Sequence, residues 1–193
     1  MEYHPFQPFL PENAKLLMLG TFPPAEKRWA MRFFYPNFTN DMWRIFGICF
    51  FGDKMHFVRQ EDKTYDLDSI IPFLKDKGIA MFDTATCVIR TKNTASDKEL
   101  QVVEETDLVD LMRQLPQCHT VLTAGQLATA IACRQFDITE PKVGEYVEFT
   151  LRLSPSALRQ CRLYRMPSSS RAYPLSVEKK AQAYRTVFDE IVR

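Results

Sequence analysis

Four short apolar runs, each ending at a polar or turn-forming loop, constrain most strongly what this chain can fold into. The runs cover residues 15–19, 79–82, 120–123 and 161–166, and helical patterns separate them. Strands that alternate with helices favour a parallel sheet covered on both faces. The sequence therefore predicts a three-layer α/β/α fold around a central, mainly parallel four-stranded sheet. Because ligands bind at the carboxyl ends of such strands, we expect one shared edge for the loops at residues 20–24, 83–86, 124–126 and 167–171.

Helical periodicity predicts five helices, over residues 41–51, 68–77, 107–115, 126–133 and 177–192. Gly78 is the expected C-cap of the second helix, and Thr106 and Ser176 are the expected N-caps of the third and the last. Residues 52–68 are predicted as a loop or a variable insertion, and residues 90–97 as a polar loop. Residues 144–153 alternate imperfectly between apolar and polar side chains, so they fit either a strand or an edge hairpin.

Composition excludes several classes of protein. The 193 residues are 46% hydrophobic and 25% charged, which fits a single soluble domain over residues 1–193. No run approaches 18 apolar residues, so we expect no membrane span, and the first residues lack the pattern of a secretory signal. The five cysteines are scattered and form no CxxC pair. This argues against a zinc or iron–sulfur site and predicts reduced, mostly buried thiols in a cytoplasmic protein.

The charge of the chain is uneven although its formal net charge is only +1. Residues 152–193 contain nine basic and three acidic side chains, which gives this stretch a net charge of +6. A basic end on a near-neutral protein is compatible with docking to the phosphates of a nucleic acid. A solvated surface explains the same pattern equally well.

The loop after the first run is crowded with aromatic rings and side-chain amides. Residues 20–24 (GTFPP) form a turn, and residues 33–43 read FFYPNFTNDMW. Aromatic rings can stack on the faces of a planar heterocycle, and Asn37 or Asn40 can hydrogen-bond to its edge. The sequence thus predicts a site for a planar ring at the end of the first strand.

These stretches resemble the uracil-DNA glycosylase superfamily, most closely its mismatch-specific uracil/thymine and hypoxanthine-DNA glycosylase branches. Those branches carry a Gly-x-x-Pro turn followed by an aromatic stretch that ends in Asn-x-Phe-Trp. Residues 78–83 (GIAMFD) are similar to their Gly-Ile-Ala-Leu-Trp-Asp strand, and Ser96 and Asp97 lie where the hypoxanthine branch has a Ser/Asp pair. Residues 166–170 (MPSSS) resemble the second motif, a Leu-Pro-Ser-Thr-Ser loop. The resemblance covers roughly residues 15–192.

The chain also departs from these patterns. Phe22 stands where the mismatch-specific branch has an Asn, Met42 replaces a Phe, and Arg171 replaces a Pro. The better-known uracil enzymes place an Asp in the first loop and a His in the second motif, and this chain has neither there. The departures leave the preferred base open.

The resemblance implies contacts with a base that has left the DNA stack. Phe22 and Tyr35 are the candidates for stacking on its two faces, unless these rings only fill the core. Asn40 is the main catalytic candidate, because a neutral amide can position water and donate to the departing base; its alternative role is to cap the helix that begins near residue 41. Asn37 is a second base-binding candidate, with a turn residue as its alternative.

Two further groups complete the candidate site. Asp83 at a strand end can act on water as a general base, or it can form an Asx-turn with the amides of Thr84 and Ala85. The small hydroxyls and backbone amides of residues 168–170 can grip DNA phosphates, with charge added by Arg171. Their alternative is an ordinary Ser-rich turn formed by Ser168, Ser169 and Ser170.

The leading hypothesis is therefore a monofunctional DNA glycosylase that acts in base-excision repair on a deaminated base such as uracil or hypoxanthine. We expect its partner to be DNA with a damaged or mismatched base, with no cofactor, metal or membrane, and we expect a monomer. A second hypothesis is an inactive DNA-binding member of the same fold, because Phe22 replaces a polar residue. A third is a small α/β protein that binds a free nucleobase or nucleoside.

Overall fold

A five-stranded, mainly parallel β-sheet forms the centre of the structure, a computed structural model that describes residues 1–92 and 96–193. In chain order the elements are β1 (Glu2–Tyr3), β2 (Leu16–Gly20), α1 (Met42–Phe51), β3 (Val58–Arg59), β4 (Thr64–Tyr65), α2 (Leu67–Lys77), β5 (Ile79–Asp83), β6 (Ala85–Arg90), β7 (Leu100–Glu105), α3 (Leu108–Arg113), β8 (Thr120–Ala124), α4 (Gln126–Phe136), β9 (Tyr146–Ser154), β10 (Ala157–Met166) and α5 (Val177–Ile191).

The central sheet has the strand order β5-β2-β8-β10-β9. Strands β5, β2, β8 and β10 are parallel, and β9 pairs antiparallel with β10. Helices α1 and α5 pack on one face of the sheet, where the rings of Phe46 and Phe188 stack 4.9 Å apart, and α3 and α4 pack together on the other. The predicted three-layer α/β/α fold is confirmed. The sheet has five strands rather than four, because residues 144–153 contain the edge strand β9.

The four predicted parallel strands are all present, and each of them ends within one residue of its predicted end. Three of them, β2, β5 and β8, are buried along their whole length. Continuous burial explains why they are uniformly apolar rather than alternating. The register pairs Gly20 with Asp83 and Ala124 with Met166, so the four strand ends lie along one edge of the sheet.

The five predicted helices are also present, with differences at α3 and α4. The helix α3 ends at Arg113, two residues before its predicted end. The helix α4 continues three residues beyond its predicted end, to Phe136. The predicted N-cap Thr106 is wrong, because the Asp107 side chain accepts the capping bond from the Asp110 amide. Ser176 caps α5 as predicted, by accepting from the Lys179 amide.

Local sequence patterns did not reveal two small antiparallel sheets. One is a three-stranded sheet in the order β1-β6-β7, whose middle strand β6 follows β5 in the chain. The other is the hairpin β3-β4, which lies in the predicted loop at residues 52–68. The predicted polar loop at residues 90–97 includes residues 93–95, which lie outside the described residues. Strand β1 matters for the site, because it fixes the first residues of the chain beside β6.

All five cysteines lie in the described ranges, and each is a buried free thiol. Burial raises the pKa of Cys49, Cys133 and Cys161 to about 11 and that of Cys118 to about 12. These four thiols are therefore uncharged packing groups at neutral pH. Among the described helices, none combines the length and the apolar surface needed to cross a membrane.

Two helix-ending glycines offer a matched test of the fold. Gly78 and Gly52 have φ values of +69° and +65°, but a Cβ atom at Gly78 would lie 2.7 Å from the Asn13 carbonyl oxygen, whereas a Cβ at Gly52 would meet nothing within 4 Å. We expect Gly52→Ala to lower the free energy of unfolding by about 1 kcal/mol, the cost of the left-handed conformation. Gly78→Ala should cost at least about 1 kcal/mol more in urea denaturation. Equal losses in the two variants would contradict the tight contact of α2 with Asn13.

Candidate active site

A cleft of about 1070 Å³ opens at the carboxyl ends of β2, β5, β8 and β10. Its walls come from the loops that follow these strands, from residues 34–37, 39 and 40 before α1, and from residues 96–98 before β7. The structure brings together in this one cleft all of the predicted site residues, namely Phe22, Tyr35, Asn37, Asn40, Asp83, Ser168, Ser169, Ser170 and Arg171.

Gly20 forms part of the cleft wall and leaves room there for two functional groups. A Cβ atom at this position would lie 2.6 Å from Asp83 Oδ1 and 3.5 Å from the Tyr35 hydroxyl oxygen. A side chain would therefore displace the carboxyl group. The glycine at the end of β2 allows Asp83 and Tyr35 to approach the same point of the backbone.

Asp83 ends β5 as a buried carboxyl group, only 7% exposed. Its Oδ2 lies 2.7 Å from His4 Nε2, and its backbone carbonyl accepts a 2.6 Å hydrogen bond from the Thr106 hydroxyl. The alternative of an Asx-turn is wrong, because the amides of Thr84 and Ala85 donate instead to backbone carbonyls of β2 and the residue after it. The carboxyl group is thus held from the protein side by His4 and lines the cleft.

Sequence reasoning missed His4, whose side chain is 4% exposed. It lies 79 positions from Asp83 along the chain, and the segment around it has no helical or strand periodicity. The pairing of β1 with β6 brings it to the end of β5.

Asp97 is a second carboxyl group in the cleft. It belongs to the stretches that resemble the hypoxanthine branch, but it is not among the predicted catalytic residues. Its Oδ2 accepts a 2.8 Å hydrogen bond from the Thr21 hydroxyl. Burial raises the pKa of Asp97 above its ordinary value and the nearby charge of Asp83 raises it further, while Thr21 and Arg90 act in the opposite direction. The cleft therefore holds a second carboxyl group, whose ionisation is disfavoured by burial and by Asp83.

Asn40 and Asn37 both use their side-chain oxygens for local structure. Asn40 Oδ1 accepts a 2.9 Å hydrogen bond from the Met42 amide, so it satisfies the first turn of α1. Asn37 Oδ1 accepts from the amide and hydroxyl of Thr39 at 3.1 and 3.0 Å, as a turn residue does. The turn role of Asn37 is therefore present, and Asn40 supports the first turn of α1 from the position before the N-cap residue Asp41, whose own side chain makes no capping bond. The Asn40 Nδ2 group, however, donates no hydrogen bond within residues 1–92 and 96–193, although Asn40 lines the cleft.

The two candidate stacking rings have different surroundings. Phe22 is partly exposed and meets the His4 ring edge-on, with centroids 5.3 Å apart. Tyr35 has a positive φ of 52°, a costly conformation for a residue with a side chain. Its buried hydroxyl has no hydrogen-bond partner in the part of the chain that the structure describes. Burial is the main reason why the pKa of Tyr35 is raised well above its ordinary value.

The Ser-rich loop after β10 supports its own turn. Ser168 Oγ accepts from the Ser170 amide at 3.2 Å, and Ser170 Oγ accepts from the Ala172 amide at 3.3 Å. Ser169 is buried, and its carbonyl accepts a 2.9 Å bond from the Asp41 amide. The alternative of a Ser-rich turn is therefore present, and the binding of phosphates by this loop stays a prediction.

Asp41 ties this loop to the start of α1. Its Oδ1 accepts from Arg171 Nε and Nη2 at 3.1 and 3.0 Å, and its Oδ2 accepts from Lys180 Nζ at 2.9 Å. Lys180 is 0% exposed and also donates to the Ser170 carbonyl at 2.8 Å. Arg171, whose side chain is 56% exposed, is thus held by an acid rather than extended into solvent.

The basic stretch at residues 152–193 has mainly structural uses. Arg159 donates to three backbone carbonyls, and Arg162 pairs with Glu148 and Glu190. Of the basic residues in this stretch, Arg165 and Arg171 are the two that line the cleft. The other cations around the cleft come from elsewhere in the chain and are Arg28, Arg90 and Lys98. In the described ranges, no group of three or more His, Cys, Asp or Glu side chains could hold a metal ion.

Comparison with known proteins shows a likeness to solved structures. No protein-family model and no curated protein matches this chain. A solution NMR structure from Methanosarcina acetivorans, of a protein named "putative Uracil DNA glycosylase", matches over 97% of both chains with a TM-score of 0.63 and 20% identity. The chain has a uracil-DNA glycosylase-like fold. At this identity the likeness establishes the fold alone.

The raised pKa of Asp97 predicts a pH-dependent cost in stability. Below the pKa of about 3.9 that an unfolded Asp has, the carboxyl is protonated in both states and costs nothing. As pH rises through the folded pKa, ionisation favours the unfolded state and stability is lost. We expect Asp97→Asn to be more stable than the original protein at pH 7, with an advantage that shrinks towards pH 3 in urea titrations. An advantage that is independent of pH would contradict the buried charge.

Proposed function

We propose that this protein is a monofunctional DNA glycosylase that removes a deaminated base, such as uracil or hypoxanthine, from DNA. The observation that carries the proposal is the cleft at the strand ends, where a buried carboxylate, a side-chain amide, two aromatic rings and a Ser-rich loop meet from four separate stretches of chain. The fold shared with a protein named as a glycosylase supports the same reaction.

The reaction breaks the bond between C1′ of the sugar and a base nitrogen. The bonding electrons leave with the base, and positive charge develops on the sugar. A water oxygen then bonds to C1′, and a proton of this water passes to a side chain that acts as general base. Asp83 suits this step because its Oδ2 is occupied by His4, whereas its Oδ1 accepts no hydrogen bond from the described residues and lies at the Gly20 wall of the cleft.

The extruded base needs a donor for its developing negative charge. The Asn40 side chain is oriented by the bond between its Oδ1 and the Met42 amide, which leaves its Nδ2 hydrogens to donate to the departing base. A fixed donor of this kind stabilises a transition-state anion without reorganisation. Phe22 and Tyr35 supply aromatic surface for the base in the same cleft, and stacking returns about 1–3 kcal/mol of the cost of extrusion.

DNA would approach along a rim that is mainly positive. Arg28, Arg90, Lys98, Arg165 and Arg171 surround the cleft, against the carboxyl groups of Asp83 and Asp97. The cluster of Lys180, Arg171 and Asp41 carries a net positive charge, and Arg171 is its exposed member. Arg171 can therefore contact a phosphate while Asp41 keeps it in place.

The test is a panel of single- and double-stranded oligonucleotides that carry uracil, hypoxanthine or xanthine. We expect an abasic product on at least one of them, seen as strand breakage only after alkali treatment, and no product on undamaged DNA. Breakage before alkali treatment would contradict the monofunctional assignment. Asp83→Asn should slow excision about 100-fold or more, because general-base assistance is lost.

The same panel separates the alternatives. Salt-dependent DNA binding with no product on any lesion would favour the inactive DNA-binding protein. An absence of DNA binding, together with a rise in melting temperature on addition of a free nucleobase or nucleoside, would favour the small-molecule protein. Either outcome would overturn the glycosylase proposal.

Asn40 allows its structural and catalytic roles to be separated. Asn40→Ala removes both the acceptor for the Met42 amide and the Nδ2 donor, so we expect a loss of about 0.5–2 kcal/mol of stability together with the loss of excision. Asn40→Asp keeps the acceptor but not the donor. It should unfold like the original protein and excise the base about 100- to 1000-fold more slowly.

The control for this series is Ser176→Ala, which removes the N-cap of α5 outside the cleft. It should lose a similar free energy of unfolding and keep its excision rate. An Asn40→Asp protein with full activity would show that Asn40 only caps α1.

A further inference from the structure

His4 occupies an unusual position for an ionisable side chain. Its ring is 4% exposed and lies among four aromatic side chains, with centroid distances between 4.6 and 6.2 Å, namely Phe6, Phe22, Phe34 and Phe82. Its backbone amide donates to the Thr86 carbonyl at 2.8 Å, and the neighbouring strand β1 pairs with β6. The first residues of the chain are thereby fastened behind the end of β5.

Both ring nitrogens of His4 have partners. Nδ1 lies 3.1 Å from the Phe6 amide nitrogen and 3.0 Å from the Phe6 carbonyl oxygen, and Nε2 lies 2.7 Å from Asp83 Oδ2. An ionised carboxylate can only accept hydrogen bonds. Whichever group of Phe6 engages Nδ1, the hydrogen on Nε2 therefore points at Asp83.

The contact divides the Asp83 carboxylate into two sides. Oδ2 is bound to His4, which is absent from the cleft lining, whereas Asp83 itself and the neighbouring Gly20 line the cleft. Oδ1 lies on the Gly20 side. Since a carboxylate rotates as a unit, a hydrogen bond to Oδ2 fixes where Oδ1 points.

Asp83 also needs a partner for electrostatic reasons. A buried carboxylate loses its hydration, and the nearby Asp97 adds a second negative charge in the same cleft. The hydrogen bond from His4 is the only one that the Asp83 side chain receives from residues 1–92 and 96–193. Without it the buried Asp83 side chain would have no hydrogen-bond partner in these ranges.

We propose that His4 is a positioning residue for the excision reaction, which orients Asp83 through the bond between Nε2 and Oδ2. The proposal rests on the glycosylase function proposed above. In the reaction the water oxygen bonds to C1′, the C1′–N bond breaks with its electrons on the base, and the water proton moves to Asp83 Oδ1. His4 keeps its own proton throughout and does not touch the substrate.

The experiment is a double-mutant cycle under single-turnover conditions, with enzyme in excess over a damaged oligonucleotide. His4→Phe fills the aromatic pocket and removes the donor, whereas His4→Gln keeps a side-chain amide donor. We expect His4→Phe to slow the excision step about tenfold or more with DNA affinity unchanged, and His4→Gln to recover most of the rate. In the Asp83→Asn background, His4→Phe should have no further effect.

The controls separate this role from a general packing role. Circular dichroism checks that each variant folds, and His119→Gln changes a histidine whose contact is with the Gln160 carbonyl outside the cleft and should keep the full rate. If His4→Phe slows excision equally in both backgrounds, His4 only packs the wall and the proposal fails. If the original protein excises no base at all, the glycosylase function fails and this role fails with it.

Discussion

The buried ion pair between Asp41 and Lys180 holds the candidate site together. Lys180 has no exposed surface and Asp41 is 3% exposed, so each charge depends on the other for compensation. Through the Asp41 amide, the Lys180 ammonium and Arg171, the pair binds the loop after β10 to the beginning of α1 and to α5. The loop that carries Ser168–170 and the turn that carries Asn40 are thus fixed relative to each other.

The same physical rule operates in the wall of the cleft. There Asp83 is buried and pairs with His4, again across a long separation in sequence. In both places a buried carboxylate is held by a side chain that is shielded from solvent, Lys180 for Asp41 and His4 for Asp83. Groups fixed in this way are preorganised, as electrostatic catalysis requires.

The sequence predicted those parts of the fold that depend on local patterns. Continuous apolar runs mark β2, β5 and β8 because these strands are buried on both faces, and Asp83 could be placed at a strand end for that reason. His4 and Lys180 could not be found this way, because their partners lie 79 and 139 positions away and only the folded chain brings them together. Local sequence alone predicts Thr106 as the N-cap of α3. The Thr106 hydroxyl instead donates to the backbone carbonyl of the distant Asp83.

Several costs to stability are concentrated in the cleft. Tyr35 has a positive φ and a buried hydroxyl with no partner among the described residues, and Asp97 is desolvated beside another carboxylate. A wall selected only for stability would replace such groups by apolar side chains of similar size, which is often neutral or favourable. Gly20 belongs to the same wall, where a larger residue would displace the Asp83 carboxyl. The proposed function gives these costs a reason, because it assigns Tyr35 with its strained backbone, the paired carboxylate and the oriented amide to one catalytic arrangement, for which the rest of the fold supplies the stability.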